Sequence, residues 1–104
     1  MLKISFEFRK GIFFIRLIGD LNKESYKEKE DELKELIINN KFKYIVINTN
    51  HLRTIDLDGL NYITKIYYMA KENDSNLVIC DKFNVFSTLL NNNVPNIKNE
   101  LEVL

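Results

Sequence analysis

Residues 43–60 read KYIVINTNHLRTIDLDGL, and the order of residue types in this stretch decides the fold. Lys43 to Asn48 is a short run rich in β-branched side chains. It is bounded by Asn39-Asn40 on one side and Asn48 to Asn50 on the other, so it reads as a buried strand. A polar loop leads from there to Ile55-Asp56-Leu57-Asp58-Gly59-Leu60. Beyond it, Leu60, Ile63, Tyr67 and Ala70 recur at helical spacing and share one face that can cover a sheet. The turn Asn73 to Asn76 follows, then a second short apolar strand, Leu77 to Cys80. Strands separated by a helix need a crossover, so these two lie parallel.

Working outward toward the amino terminus, LKISFEFR (2–9) places Leu2, Ile4, Phe6 and Phe8 on one face at period two, the pattern of a half-buried strand. Lys10-Gly11 is a turn. IFFIRLI (12–18) is more continuously apolar and lies deeper in the sheet as the second arm of an antiparallel hairpin. Gly19-Asp20-Leu21-Asn22 is expected to stop this strand, with Asn22 as N-cap of a charged helix over 23–40. The apolar residues of that helix, Tyr26, Leu33, Leu36 and Ile37, make only a thin stripe, and Glu30 is expected to pair with Lys34.

Toward the carboxyl terminus, Val85, Phe86, Leu89 and Leu90 predict a third amphipathic helix over 84–92, ended by Asn91 to Asn93 and Pro95. Ile97 and the final LEVL supply a last short strand or turn of helix. The expected architecture is a single α/β domain over residues 1–104. It has a mixed sheet with an N-terminal antiparallel hairpin, later parallel strands and about three to four covering helices. On the second helix, Tyr62, Ile66 and Met69 form another apolar set. Either a neighbouring helix buries it or it meets a partner.

Composition excludes several function classes. The 104 residues carry 15 basic and 15 acidic side chains, so no net field collects phosphates. The lysines of 23–34 are interleaved with Glu and Asp, which argues against a nucleic-acid partner. The longest apolar runs, Ile12 to Ile15 and Tyr44 to Ile47, are far short of the ~20 residues of a membrane helix, and MLKISFEFRKG is not a signal peptide. One cysteine makes no intramolecular disulfide, which fits a cytoplasmic location.

Few residues offer chemistry. His51, in a polar loop, and Cys80, at the end of an apolar strand, have no metal-ligand or triad spacing around them. Gly11, Gly19 and Gly59 make no phosphate-cradling loop, so no cofactor, metal or enzymatic activity is expected. The informative segment is Asp56 to Leu60. Its carboxylates sit at a helix start, where free backbone N–H groups favour negative charge, so they either cap the helix or belong to a recognition surface at the ends of parallel strands.

The succession GDLN, YIVIN, IDLDGL, a helix of about fifteen residues and NLVIC resembles the STAS domain family of anti-sigma factor antagonists over nearly the whole chain. In that family the matching motif is Asp-Ser-Ser-Gly-Leu, and an anti-sigma factor that is also a kinase phosphorylates its first serine and so breaks the contact between the two proteins. Asp56 and Gly59 match the motif, whereas Leu57 stands at the phosphoacceptor position and Asp58 replaces the second serine. The resemblance implies a non-enzymatic, anti-sigma factor antagonist-like regulator that binds a kinase-like protein without the usual serine switch. The binding residues it implies are Asp56, Leu57, Asp58, Gly59, Asn22, Asn50 and Tyr62. Its second implication, ranked behind the first, is an accessory or scaffold subunit beside the ATPase of a bacterial lipid-transport ABC system, or in a stress-signalling assembly. It leaves the oligomeric state open.

Overall fold

The period-two alternation at the amino terminus forms the hairpin it predicts. Strand β1 (Leu2–Arg9) pairs antiparallel with β2 (Ile12–Leu21), from Leu2 opposite Gly19 to Arg9 opposite Ile12. The chain continues through α1 (Lys23–Asn40), β3 (Tyr44–Ile55), α2 (Leu57–Glu72), β4 (Asn76–Cys80), β5 (Asn96–Ile97) and a 3₁₀ turn (Glu100–Val103). This computed structural model describes residues 1–82 and 95–104, so the helix expected over 84–92 lies outside the described residues. The sheet order is β1-β2-β3-β4-β5, with β2–β3, β3–β4 and β4–β5 all parallel.

Two boundaries differ from the sequence reading. β2 does not stop at Gly19 but runs to Leu21, and the polar stretch 49–55, expected as a loop, is the second half of β3. The two extensions pair with each other through register shifts at Arg16/Ile18 and Gly19/Asp20. Each shift breaks the apolar alternation that marks a strand in sequence. His51 is therefore an exposed strand residue opposite Ile18 and not a loop residue. Gly19 has φ +107°, and a Cβ there would sit 2.3 Å from the Met1 carbonyl oxygen, which accepts the Asp20 N–H at 3.1 Å.

Alternate strand residues give the sheet two covered faces. Phe13, Ile15 and Leu17 of β2, Ile45 and Ile47 of β3, and Leu77 and Ile79 of β4 pack against Tyr26, Leu33 and Ile37 of α1 and Leu60, Ile63, Ile66 and Ala70 of α2. On the opposite face Phe14, Val46 and Cys80 make a smaller cluster with Ile12, Ile97, Val103 and Leu104. The second apolar set on α2 is explained by its neighbours. Ile66 is buried, Met69 is partly buried against the main core, and the Tyr62 ring stacks on Tyr26 of α1 with centroids 3.7 Å apart. Glu30 faces Lys65 of α2 at 3.8 Å, a helix-to-helix contact in place of the expected pairing along α1.

Candidate functional site

β2 and β3 end side by side, Leu21 opposite Ile55, and each passes directly into a helix. Asn22 caps α1: its Oδ1 accepts the Ser25 N–H at 3.0 Å, and Ser25 Oγ accepts the Asn22 N–H at 3.0 Å, a reciprocal capping box. Ser25 Oγ also donates to the Asp20 carbonyl at 2.7 Å. Asp56 caps α2 from an extended backbone, its Oδ1 accepting the Gly59 N–H at 2.8 Å and its carbonyl the Leu60 N–H at 3.1 Å. The Asp56 N–H donates to the Leu21 carbonyl at 3.3 Å, tying the start of α2 to the end of β2.

That closeness explains Gly59. A Cβ there would lie 2.5 Å from the Leu21 carbonyl oxygen and 2.9 Å from Ile55 Cγ1, distances that real side chains do not tolerate. Asp58 lies exposed in the first turn, where its charge complements the helix dipole. Leu57, the first residue of α2, is 73% exposed. Tyr62 stands further along α2, half-buried. Burial, then the carboxylates of Asp58, Glu30 and Asp56, push its hydroxyl above the ordinary tyrosine range. Its stacking partner Tyr26 is pushed up to about 12, chiefly by burial.

Asn22, Asp56, Leu57, Asp58 and Gly59 thus gather at one end of the sheet with Tyr62 beside them. Asn50 is placed elsewhere. It lies about five residues up β3, on the order of 15 Å away along the strand. Its amide is engaged on both sides: Nδ2 donates to the Lys98 carbonyl at 2.9 Å and to Cys80 Sγ at 3.3 Å, and Oδ1 accepts the Lys82 N–H at 2.7 Å. Asn50 fastens β3 to the chain on either side of β5. Cys80 beneath it is fully buried, and burial followed by the Glu100 carboxylate pushes its thiol up to about 11.

Two clusters escaped the sequence reading. Asp20 accepts from Arg53 Nε at 3.1 Å and Nη2 at 2.5 Å, from Thr54 Oγ1 at 2.7 Å and from the amino terminus at 3.3 Å. Arg53, and then Thr54, hold its carboxyl well below the usual range. This knot sits immediately before the two helix caps and fixes the strand ends from which they start. On the opposite face Arg16 makes a two-pronged pair with Glu100 at 2.9 and 2.7 Å and also meets Glu7 at 2.8 Å, while Asn48 donates to Glu100 at 2.6 Å. Arg16 lowers the Glu100 pKa and is itself raised, so the pair anchors the carboxyl-terminal turn. The partners are 33 and 84 residues apart, beyond any local sequence signal.

Among the described residues there is no cluster of three or more His, Cys, Asp or Glu side chains suited to a metal ion, and no helix is long and apolar enough to cross a membrane. The site is a pair of adjacent helix starts with an exposed leucine.

Comparison with known proteins agrees with this architecture. An anti-sigma F factor antagonist from Paenibacillus polymyxa is 25% identical over 80 residues, covering 77% of this chain and 68% of the relative. Among solved structures, the anti-sigma factor antagonist SpoIIAA in its unphosphorylated form aligns with a TM-score of 0.78 at 12% identity, over 99% of this chain and 93% of that one. An anti-sigma factor antagonist from Mycobacterium paratuberculosis aligns with a TM-score of 0.77 at 14% identity, over 98% and 90%. At these identities the two structures speak to the fold. The model of the STAS domain matches residues 3–101, and with that match the chain belongs to the STAS domain family.

Proposed function

We propose that the chain is an anti-sigma factor antagonist-like regulator that acts by binding an anti-sigma factor of the kinase-like type through the start of α2, without serine phosphorylation there. The observation that carries the reading is Leu57: 73% exposed at the first position of α2, where the family's phosphoacceptor would stand, with no hydroxyl to modify. Asp56 and Gly59 hold the helix start rigid and close to β2, so Leu57 is presented from a fixed backbone and little conformational entropy is lost on docking. Asp58 adds a permanent charge of −1 beside it, smaller than the −1.5 to −2 of a phosphate. Asn22, with its amide oxygen committed to the α1 cap, contributes through the position of α1; Tyr62 offers the half-buried flank of the surface.

The test is capture of partners from the source cell with the chain as bait. Recovery of a histidine-kinase-like ATPase, with capture reduced by Leu57→Ala, supports the reading. Recovery of an ABC-type ATPase in its place assigns the chain to a transport assembly and refutes the antagonist role.

A further inference from the structure

We propose that the free edge of β1 is a second docking site, independent of the start of α2, for an extended segment of a partner protein that carries Lys or Arg at alternate positions. Strand β1 ends the sheet order and, among the described residues, pairs only with β2. Its eight residues stay in unbroken register, without the bulge or proline that commonly blunts an edge. Alternate residues of such an edge direct their N–H and C=O groups away from the sheet, where a further strand can pair with them.

The neighbourhood states what that strand must carry. A shallow groove of about 650 Å³ is lined by Phe6 of β1 and, from α1, by Leu36 and the carboxylates of Glu28, Asp31, Glu32 and Glu35. These carboxylates span eight residues of helix, a rise of about 10 Å. Successive side chains on one face of a strand are ~6.7 Å apart, so two basic residues separated by one other fit the acidic wall. Their aliphatic stems would cover Phe6 and the exposed ring of Phe8, which stands on the same face of β1. The other face of β1 exposes Lys3 and Arg9, so the intervening residues of the partner strand are neutral or acidic.

Charge also distinguishes this occupant from a second copy of the chain. Antiparallel pairing of two β1 edges would set two α1 helices side by side and bring both sets of groove carboxylates together. It would also draw on Glu7, which already binds Arg16 at 2.8 Å. A basic strand relieves that charge and a second copy doubles it.

The probe is a fluorescein-labelled peptide, Lys-Thr-Lys-Val-Lys-Thr, compared with the same peptide carrying Glu for each Lys, in anisotropy titrations at low salt. The lysine peptide is expected to bind and to slow hydrogen exchange of the outward-facing β1 amides. A doubly reversed variant, Glu32→Lys with Glu35→Lys, weakens it by about tenfold, and added salt weakens it further. Both substitutions are on the exposed face of α1, and a thermal melt confirms that the variant is folded. Leu57→Ala leaves this binding unchanged, which separates it from the start of α2. The proposal is overturned by no binding, by equal binding of the two peptides, by unaltered β1 exchange, or by loss of binding on Leu57→Ala. A dimer whose β1 amides are protected without the peptide also overturns it, assigning the edge to a second copy.

Discussion

Replacing Gly59 by alanine tests whether the start of α2 is held as closely to β2 as the site requires. A methyl group at this position meets the Leu21 carbonyl oxygen at 2.5 Å and Ile55 Cγ1 at 2.9 Å. The first is backbone and cannot rotate away, so α2 must retreat by roughly 0.7 Å to restore ordinary contact. The Asp56 N–H bond to the same carbonyl, already 3.3 Å long, then stretches to roughly 4 Å and is lost. Overpacking costs about 1 to 3 kcal/mol and the lost bond about 0.5 to 1.5 kcal/mol, against about 1 kcal/mol gained because alanine is the better helix former. The net is a destabilisation of about 2 kcal/mol. For a domain of this size that lowers the midpoint of thermal unfolding by roughly 8 to 16 °C, readable by circular dichroism or calorimetry. Asn61→Ala, an exposed site two residues on, is the control and should be neutral or slightly stabilising. A Gly59→Ala protein as stable as the parent would refute the reasoning, since the helix start would then have room that the close contact denies.

Glu100→Gln should lower stability at neutral pH by about 1 to 2 kcal/mol, because it breaks the charged pair with Arg16 while keeping the shape. The Glu100 pKa is depressed in the folded state, so its contribution is complete above the ordinary value of about 4.3 and disappears as pH falls below it. Urea unfolding between pH 7 and 3 should therefore show a shallower acid loss for the variant, the remainder coming from Asp20, whose shift has the same direction; superimposable profiles would contradict this. Leu57→Ser places a hydroxyl at the position that the proposed reading matches to the phosphoacceptor of anti-sigma factor antagonists. Incubated with the captured kinase-like factor and ATP, this variant should take up phosphate at residue 57 while the parent takes up none, and phosphate on the parent at Thr49 or Thr54 would remove the claim of a switchless antagonist.

Much of this molecule is legible in its sequence because the responsible signals are local. Leu2, Ile4, Phe6 and Phe8 alternate, and Leu60, Ile63 and Ala70 repeat at helical spacing; the helical pattern survives as a buried face, and the strand pattern does so from Leu2 to Phe6, leaving Phe8 exposed at the end of β1. The placement of Asp56 three residues before Gly59, which directly precedes the apolar stripe, marks the cap that the structure contains. What could not be read is the far half of the β2–β3 ladder. Its register shifts displace Leu52 and Ile55 from regular alternation and make a strand resemble a polar loop. Asp20 with Arg53, and Arg16 with Glu100, are also hidden, because a charged residue carries no mark of which distant charge it will meet. Asn50 shows the converse: grouped with the loop by its place in the chain, it spends its amide on Lys98, Cys80 and Lys82.

The central claim, that the exposed start of α2 is the binding surface and Leu57 its apolar contact, is tested most directly by affinity. Fully burying a leucine is worth about 1.5 to 3 kcal/mol, and with 73% of this side chain still exposed about 1 to 2 kcal/mol is gained on docking. Calorimetric titration of the captured anti-sigma factor with the parent and with Leu57→Ala should show binding weakened by about tenfold, with the thermal unfolding of the free protein unchanged. Equal affinities for the two proteins would contradict the account and move the interface away from α2.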